Sequence, residues 1–167
     1  MSTAPIPVSI GENVIWRAEP HEAETVAQLL VEFRDTHGQQ WPSDNAFLAA
    51  VERLIETRDT EYLLGSPDRD TPPAGVCQLR YRLSVWTATD DCWLEDLYVR
   101  ETARRRGLGR ALVHTACEHA RTRGCRRIEL DVNEENAAAL HLYDGLGFSA
   151  ESKLTRGRDL FLGRALH

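Results

Sequence analysis

Two short stretches of this chain combine residue types that handle anions and protons. The first is Arg104-Arg105-Arg106-Gly107-Leu108-Gly109, between a strand and a helix. At a helix N-terminus successive backbone N–H groups converge, and the helix dipole adds partial positive charge. Gly107 and Gly109 let the backbone approach an anion without a Cβ in the way, and arginines supply charge-assisted hydrogen bonds to its oxygens. The same basic run also fits a solvated loop. A dinucleotide fingerprint is a poorer match, because a full GxGxxG directly after a strand is absent. The second stretch is Trp93-Leu94-Glu95-Asp96-Leu97-Tyr98-Val99. Strict alternation puts Glu95 on the face of Trp93, Leu97 and Val99, where apolar neighbours raise a carboxylate toward the range of a useful base. The alternative is a cross-sheet pair with Arg80 or Arg82. Asp96 falls on the opposite face, as a structural or substrate-orienting group. Further on, Tyr143 is a proton donor by type, but it also continues the apolar helical stripe of Ala139 and Leu146.

These groups need a scaffold. Residues 14–18 read as a short first strand. Pro20 stands at a helix start and opens an amphipathic helix to about residue 35, with Val26, Leu29, Leu30 and Phe33 on one face. Gly and Pro mark 36–42 as a loop. Ser43 or Asp44 caps a second helix whose apolar face is Phe47, Leu48, Val51, Leu54 and Ile55. A brief strand follows at 61–65, an exposed turn at 66–73, and a long strand from 75 to about 86. The polar turn 87–91 joins it to the strand 92–99. Residues 107–123 are helical, with Leu108, Leu112, Ala116 and Ala120 on one stripe and Gly124 as the stop. A strand covers 126–132, Asn136 caps a helix to about 146, and Leu160-Phe161-Leu162 reads as a closing strand. Strands that first meander and then alternate with helices give the α/β class. The expected architecture is a single domain at 14–167 behind an extension at 1–13, its central sheet mixed, mostly antiparallel and flanked by helices.

Composition narrows the partners. The 167 residues fit one domain with a substantial core. A net charge of −6 argues against a dedicated nucleic-acid binder. Arg100, Arg104, Arg105, Arg106 and Arg110 form one basic island, which suits a small anionic ligand. No window has the apolar length of a membrane span, and the N-terminus lacks a secretory pattern. Cys77, Cys92, Cys117 and Cys125 follow neither a CxxC nor a disulfide-scaffold spacing, so a reduced, cytoplasmic setting is expected. His114, His119 and His141 lack HxxxH spacing and an accompanying ligand set, so no metal is expected.

The pattern Arg104-x-x-Gly107-x-Gly109, after a strand ending in Val99, resembles the acetyl-CoA signature of the GNAT superfamily of N-acetyltransferases. Arg105 stands where many members carry Gly. One helix and one strand later, Asn136-x-x-Ala139-x-x-Leu142-Tyr143-x-x-x-Gly147-Phe148 resembles the family's second block. The resemblance implies acetyl-CoA as co-substrate. It implies that the backbone of Leu97, Tyr98 and Val99 pairs with the pantetheine arm like an added strand. Arg104, Arg105, Arg106, Gly107, Leu108, Gly109 and Arg110 would cradle the pyrophosphate. Asn136 would hydrogen-bond the pantetheine, Ala139 would belong to the same cofactor-binding set, and Tyr143 would sit near the thioester sulfur. A homodimer is implied as well.

Acetyl transfer to an amine sets three tasks: deprotonating an ammonium, stabilising an oxyanion and protonating a thiolate. Glu95 is the expected base, directly or through water. A backbone N–H at a strand irregularity near Leu97 and Tyr98 is the expected oxyanion donor, and Tyr143 the expected acid. No GxSxG elbow and no Cys nucleophile motif occur, which favours direct transfer over a covalent acyl-enzyme. The Leu94-Glu95-Asp96 strand looks like that of spermidine/spermine N-acetyltransferases and their bacterial relatives, although those place an acid where Ser84-Val85-Trp86 has none. Glu32, Asp35, His37 and Trp41 are candidates for an acidic acceptor pocket. Three readings stay open: a small-molecule amine acetyltransferase, a protein N-terminal or lysine acetyltransferase, and a CoA-binding regulatory module without turnover.

Overall fold

The computed structural model describes residues 6–166. Its elements run β1 (Val8–Ile10), β2 (Asn13–Arg17), α1 (Ala23–Thr36), α2 (Asp44–Ile55), β3 (Thr60–Ser66), β4 (Gly75–Ser84), β5 (Thr89–Val99), α3 (Leu108–Thr122), β6 (Ile128–Glu129) and α4 (Ala137–Asp144). The six strands lie side by side in chain order. Every neighbouring pair is antiparallel except β5 and β6, which are parallel. The class is therefore the expected α/β with a mixed, mostly antiparallel sheet. The backbone divides into two compact units, one up to Leu130 and one from Asp131.

In the first unit one face of the sheet packs on α1 and α2. Val26, Leu29 and Leu30 of α1, with Val51 and Ile55 of α2, cluster with Tyr62, Leu64, Val76 and Tyr98. Full burial of each such side chain stabilises by about 1.5–3 kcal/mol, well above the tenths that helix propensity contributes per residue. Packing therefore holds these helices in place. Ser43 starts α2, accepting a hydrogen bond from the Ala46 amide at 3.3 Å.

The other face carries α3, and two glycines set how closely it sits. Gly65 and Gly75 lie opposite each other on β3 and β4. A Cβ at Gly65 would come within 2.8 Å of Ile15 and 2.9 Å of Leu108, and one at Gly75 within 2.9 Å of Leu112. Bare backbone at both positions leaves room for Ile15, Leu108 and Leu112 to pack down on the sheet, beside the end of β5.

Several expected boundaries move. Val8–Ile10, within the segment read as an extension, pairs with β2 as an edge strand. β4 ends at Ser84 and β5 starts at Thr89, so the hairpin is tighter than the sequence indicates. The strand expected over 126–132 is a ladder of two residues, Ile128 and Glu129. The closing strand at Leu160-Phe161-Leu162 is not formed; those residues are exposed. A strand requires a ladder, and among the described residues the pairing in this unit is the bridge Glu151–Arg158, with Asp159 N–H on the Ala150 carbonyl at 2.8 Å. Three apolar residues in a row do not by themselves provide a partner.

Candidate active site

β4 and β5 pair residue for residue on either side of one irregularity. Leu94 lies opposite Leu79 and Asp96 opposite Gln78, so Glu95 is the extra residue of a β-bulge. The bulge cancels the strict alternation expected of β5. Gln78 Nε2 donates to Glu95 Oε2 at 3.4 Å, and Arg80 Nη1 stands 3.8 Å from the same oxygen. Gln78 is also the register partner of Tyr62, which faces α1 and α2. Glu95 thus shares the side of Asp96, not that of Leu97, which lies opposite Cys77. Burial raises the Tyr62 phenol first, and the charges of Asp96 and Glu95 raise it further. The apolar enclosure expected around Glu95 is absent: its side chain is 44% exposed and paired with Arg80. The irregularity expected near Leu97 and Tyr98 stands at Glu95 instead, and from Asp96 to Val99 the ladder with β4 is regular.

Beyond the bulge, β5 has two further properties. Its ladder with β6 covers Cys92 and Trp93. Its end leads to α3 through a short 3-10 helix, Glu101–Ala103, and the turn 104–107. Tyr98 is buried, its ring stacked on Phe33 at 5.4 Å, so that side chain belongs to the core. Arg104 donates from Nε to the Val99 carbonyl at 2.9 Å, which fixes the turn to the strand end. Asn13 Nδ2 holds the Arg106 carbonyl at 3.0 Å from β2.

The turn brings together several groups able to face an anion. Gly107, at φ +77°, is the N-cap of α3 and offers no capping side chain, so the first amides of this fifteen-residue helix have no side-chain cap. Arg105 stands at φ +61°. A left-handed backbone is what glycine adopts readily. An arginine there costs on the order of 1–2 kcal/mol. Left-handed residues near a helix start turn backbone N–H groups toward a common concavity. Arg104, Arg105, Arg106, Gly107 and Arg110 are exposed around it, while Leu108 is buried and anchors the helix.

The basic island is smaller than its sequence. Arg100 turns away, gripping Glu32 with two bonds of 2.7 Å and the Pro73 carbonyl at 3.2 Å. Hydrogen bonding from Arg100 is the leading cause holding Glu32 below the ordinary carboxylate value. Arg106 is partly neutralised by Asp68 at 3.4 Å and Glu12 at 3.9 Å. The expected acceptor carboxylates are likewise committed, Glu32 to Arg100 and Asp35 to Arg34. His37 packs edge-on against Phe33, and Trp41 is exposed.

In the second unit the Asn136–Phe148 block forms a self-terminating helix. Asn136 Oδ1 caps α4 by accepting from the Ala139 amide at 3.2 Å. Gly147, at φ +86°, ends it, and Phe148 N–H returns to the Tyr143 carbonyl at 3.0 Å. Tyr143 is buried, its ring tilted against Phe148 with centroids 5.6 Å apart.

Burial raises all four thiols, Cys92 to about 12. Such thiols hold little thiolate at neutral pH and are poor nucleophiles. Among the described residues no group of three His, Cys, Asp or Glu is placed to hold a metal ion, and no helix is long and apolar enough to cross a membrane. Asn13 and Gln78 were not legible in the sequence, since neither stands in a motif and both act through partners far along the chain.

The Acetyltransferase (GNAT) family model matches residues 26–148. Over 140 residues the chain is 28% identical to the L-ornithine N5-acetyltransferase of Arabidopsis thaliana, covering 81% of this chain and 61% of that protein. Over 80 residues it is 35% identical to the thialysine N-epsilon-acetyltransferase of Sus scrofa, covering 45% and 46% respectively. The chain thus spans about half the length of the curated relatives it matches. The crystal structure of a proposed acetyltransferase from Arthrobacter sp. FB24 superposes with a TM-score of 0.81 at 30% identity, covering 99% of both chains.

Proposed function

The chain belongs to the GNAT acetyltransferase family, and from that premise we propose that it moves the acetyl group of acetyl-CoA directly onto a primary amine of a small molecule. The observation that carries the proposal is the bulge at Glu95. It lifts one carboxylate out of the ladder on the strand that precedes the turn at Gly107, with only the short 3-10 helix Glu101–Ala103 between them. The relatives named for ornithine and thialysine support a small amine as acceptor. The strand's likeness to spermidine/spermine enzymes supports the same class.

Arg104, Arg105 and Arg110, with the amides at the start of α3, would hold the pyrophosphate. The backbone of Leu97 to Val99 would take the pantetheine arm along the edge of β5. Bound acetyl-CoA supplies an activated acyl carbon. The chain's own residues handle protons. Glu95, directly or through water, accepts one proton from the acceptor's ammonium, which otherwise has no lone pair for attack. The new N–C bond forms as the C–S bond breaks, and the second amine proton leaves as the sulfur gains one. Tyr143 is the proposed donor to sulfur, and Asn136 with Ala139 the proposed pantetheine contact, on the strength of the family motif. Raised thiols at Cys77 and Cys92 support direct attack over an acylated cysteine. A homodimer is part of the proposal, checked by light scattering.

The test is free thiol released from acetyl-CoA in the presence of amines and of peptides. Release that saturates with a small amine supports the proposal. Release with peptides alone would reassign the chain as a protein acetyltransferase, and CoA binding without release for any acceptor would make it a regulatory module.

A further inference from the structure

The amine is only half of an acceptor, and the region beside Glu95 constrains the other half. A cavity of about 640 Å³ lies against α2 and the start of β3, lined among others by Ala49, Ala50, Arg53, Leu54, Asp59 and Arg80. Two arginines, Arg53 and Arg80, therefore line it. Its carboxylate, Asp59, is already engaged: the Thr57 hydroxyl leads the causes that lower its pKa, ahead of the charge of Arg80, and Thr60 donates to it at 3.3 Å. Arg80 links this cavity to the proposed base, since its Nη1 stands 3.8 Å from Glu95. Its Nε is buried and has no hydrogen-bond acceptor among the described residues. A guanidinium with an unsatisfied donor suits a ligand that brings an anionic oxygen to it.

We propose that the acceptor carries a carboxylate as well as its amine, that is, it is a diamino acid or similar amino acid rather than a plain polyamine. This rests on the acetyltransferase reading above. The carboxylate takes Arg53 and Arg80, and the aliphatic stem lies along Ala49, Ala50 and Leu54. The distal amine is then presented on the side of Glu95. Engaging Arg80 also draws its charge from Glu95, leaving that carboxylate to the ammonium. A polyamine, cationic at both ends, would instead set a positive charge against two guanidinium groups. Arg80 and Arg53 are thus specificity-determining residues.

Calorimetric binding tests this without requiring turnover. The probes are L-2,4-diaminobutyrate, L-ornithine and L-lysine, each beside the diamine that lacks its carboxylate, with and without saturating CoA. In the wild-type chain at least one amino acid should bind roughly tenfold or more tightly than its diamine. Arg53→Ala and Arg80→Gln should each remove most of that preference, and Arg80→Lys should restore part of it. If every diamine binds as well as its amino acid, or the arginine variants leave the ratio unchanged, the inference is wrong. Turnover without the preference would overturn it while leaving the proposed function standing. The preference without turnover would instead overturn catalysis.

Discussion

β5 holds carboxylates in two different ways within five residues. Asp91, near its start, is 1% exposed and bound by Arg127 through contacts of 2.7 and 2.8 Å, with the Thr87 hydroxyl at 3.1 Å. Glu95 is 44% exposed and meets Gln78 at 3.4 Å and Arg80 at 3.8 Å. Burial is the largest influence on Asp91 and acts to raise it, yet Arg127, Ser84 and Thr87 together hold it below its ordinary value. The tightly bonded acid has no capacity left for chemistry. The loosely bonded one sits on a bulge, where the ladder releases it. Bond saturation, more than residue type, separates a structural carboxylate from an available one.

The sharpest break between the two comes from replacing each in turn. Glu95→Gln should lower kcat for acetyl transfer by about 10²–10⁴-fold, the contribution of a positioned general base, with the melting temperature unchanged. If kcat holds, Glu95 is not the base. Asp91→Ala should do the reverse. It removes the buried partner of Arg127 and costs about 2 kcal/mol, below the 3–5 kcal/mol of a fully buried pair because Arg127 is half-exposed and keeps Glu129 at 3.4 Å. Denaturant titration reads that loss, and kcat should be unaffected in the folded fraction.

A smaller effect belongs to the turn. Arg104→Ala with Arg105→Ala should raise the acetyl-CoA KM by about tenfold, as expected for losing exposed charge-assisted contacts, with kcat at saturation little changed. Arg100→Ala, the basic residue turned toward Glu32, should leave that KM unaltered and cost about 1 kcal/mol of stability. An equal KM effect from both would erase the division of the island drawn above.

The smallest effect is in pH. Asp91 and Glu61 both have folded values below their ordinary 3.8 and 4.5. For Glu61 burial again pushes upward and is outweighed, chiefly by His119, whose Nδ1 bonds its Oε1, and by Arg17 and Tyr81. A group with a depressed folded value contributes stability that is complete above its unfolded value and is lost as pH falls through the folded one. The melting temperature should therefore fall on acidification below about pH 4.5, and Asp91→Asn should flatten that decline. A melting temperature that instead fell as pH rose from 4 to 7 would contradict this assignment.

How much of this was legible in the sequence depends on how far each determinant reaches along the chain. Ser43 as a cap, Gly107 opening α3 and Asn136 opening α4 follow from bonds made within three or four residues, and the structure has each where the pattern places it. Alternation puts Glu95 on the wrong side of the sheet, because it is a local rule and the bulge is a property of the β4–β5 register. Arg100 belongs to the basic run in sequence but not in space, because its partner, Glu32, lies 68 positions away. The strand expected at 160–162 rested on hydropathy alone, and hydropathy carries no information about a pairing partner.

The central claim is direct acetyl transfer to an amine, and a single-turnover reaction analysed by mass spectrometry tests it most directly. With the chain in excess over acetyl-CoA and an accepted amine present, the account predicts one N-acetylated amine per thiol released, no acetyl on the protein at any time, and no thiol without amine. Acetyl appearing on the protein before the product, or thiol released at the same rate without amine, would contradict it.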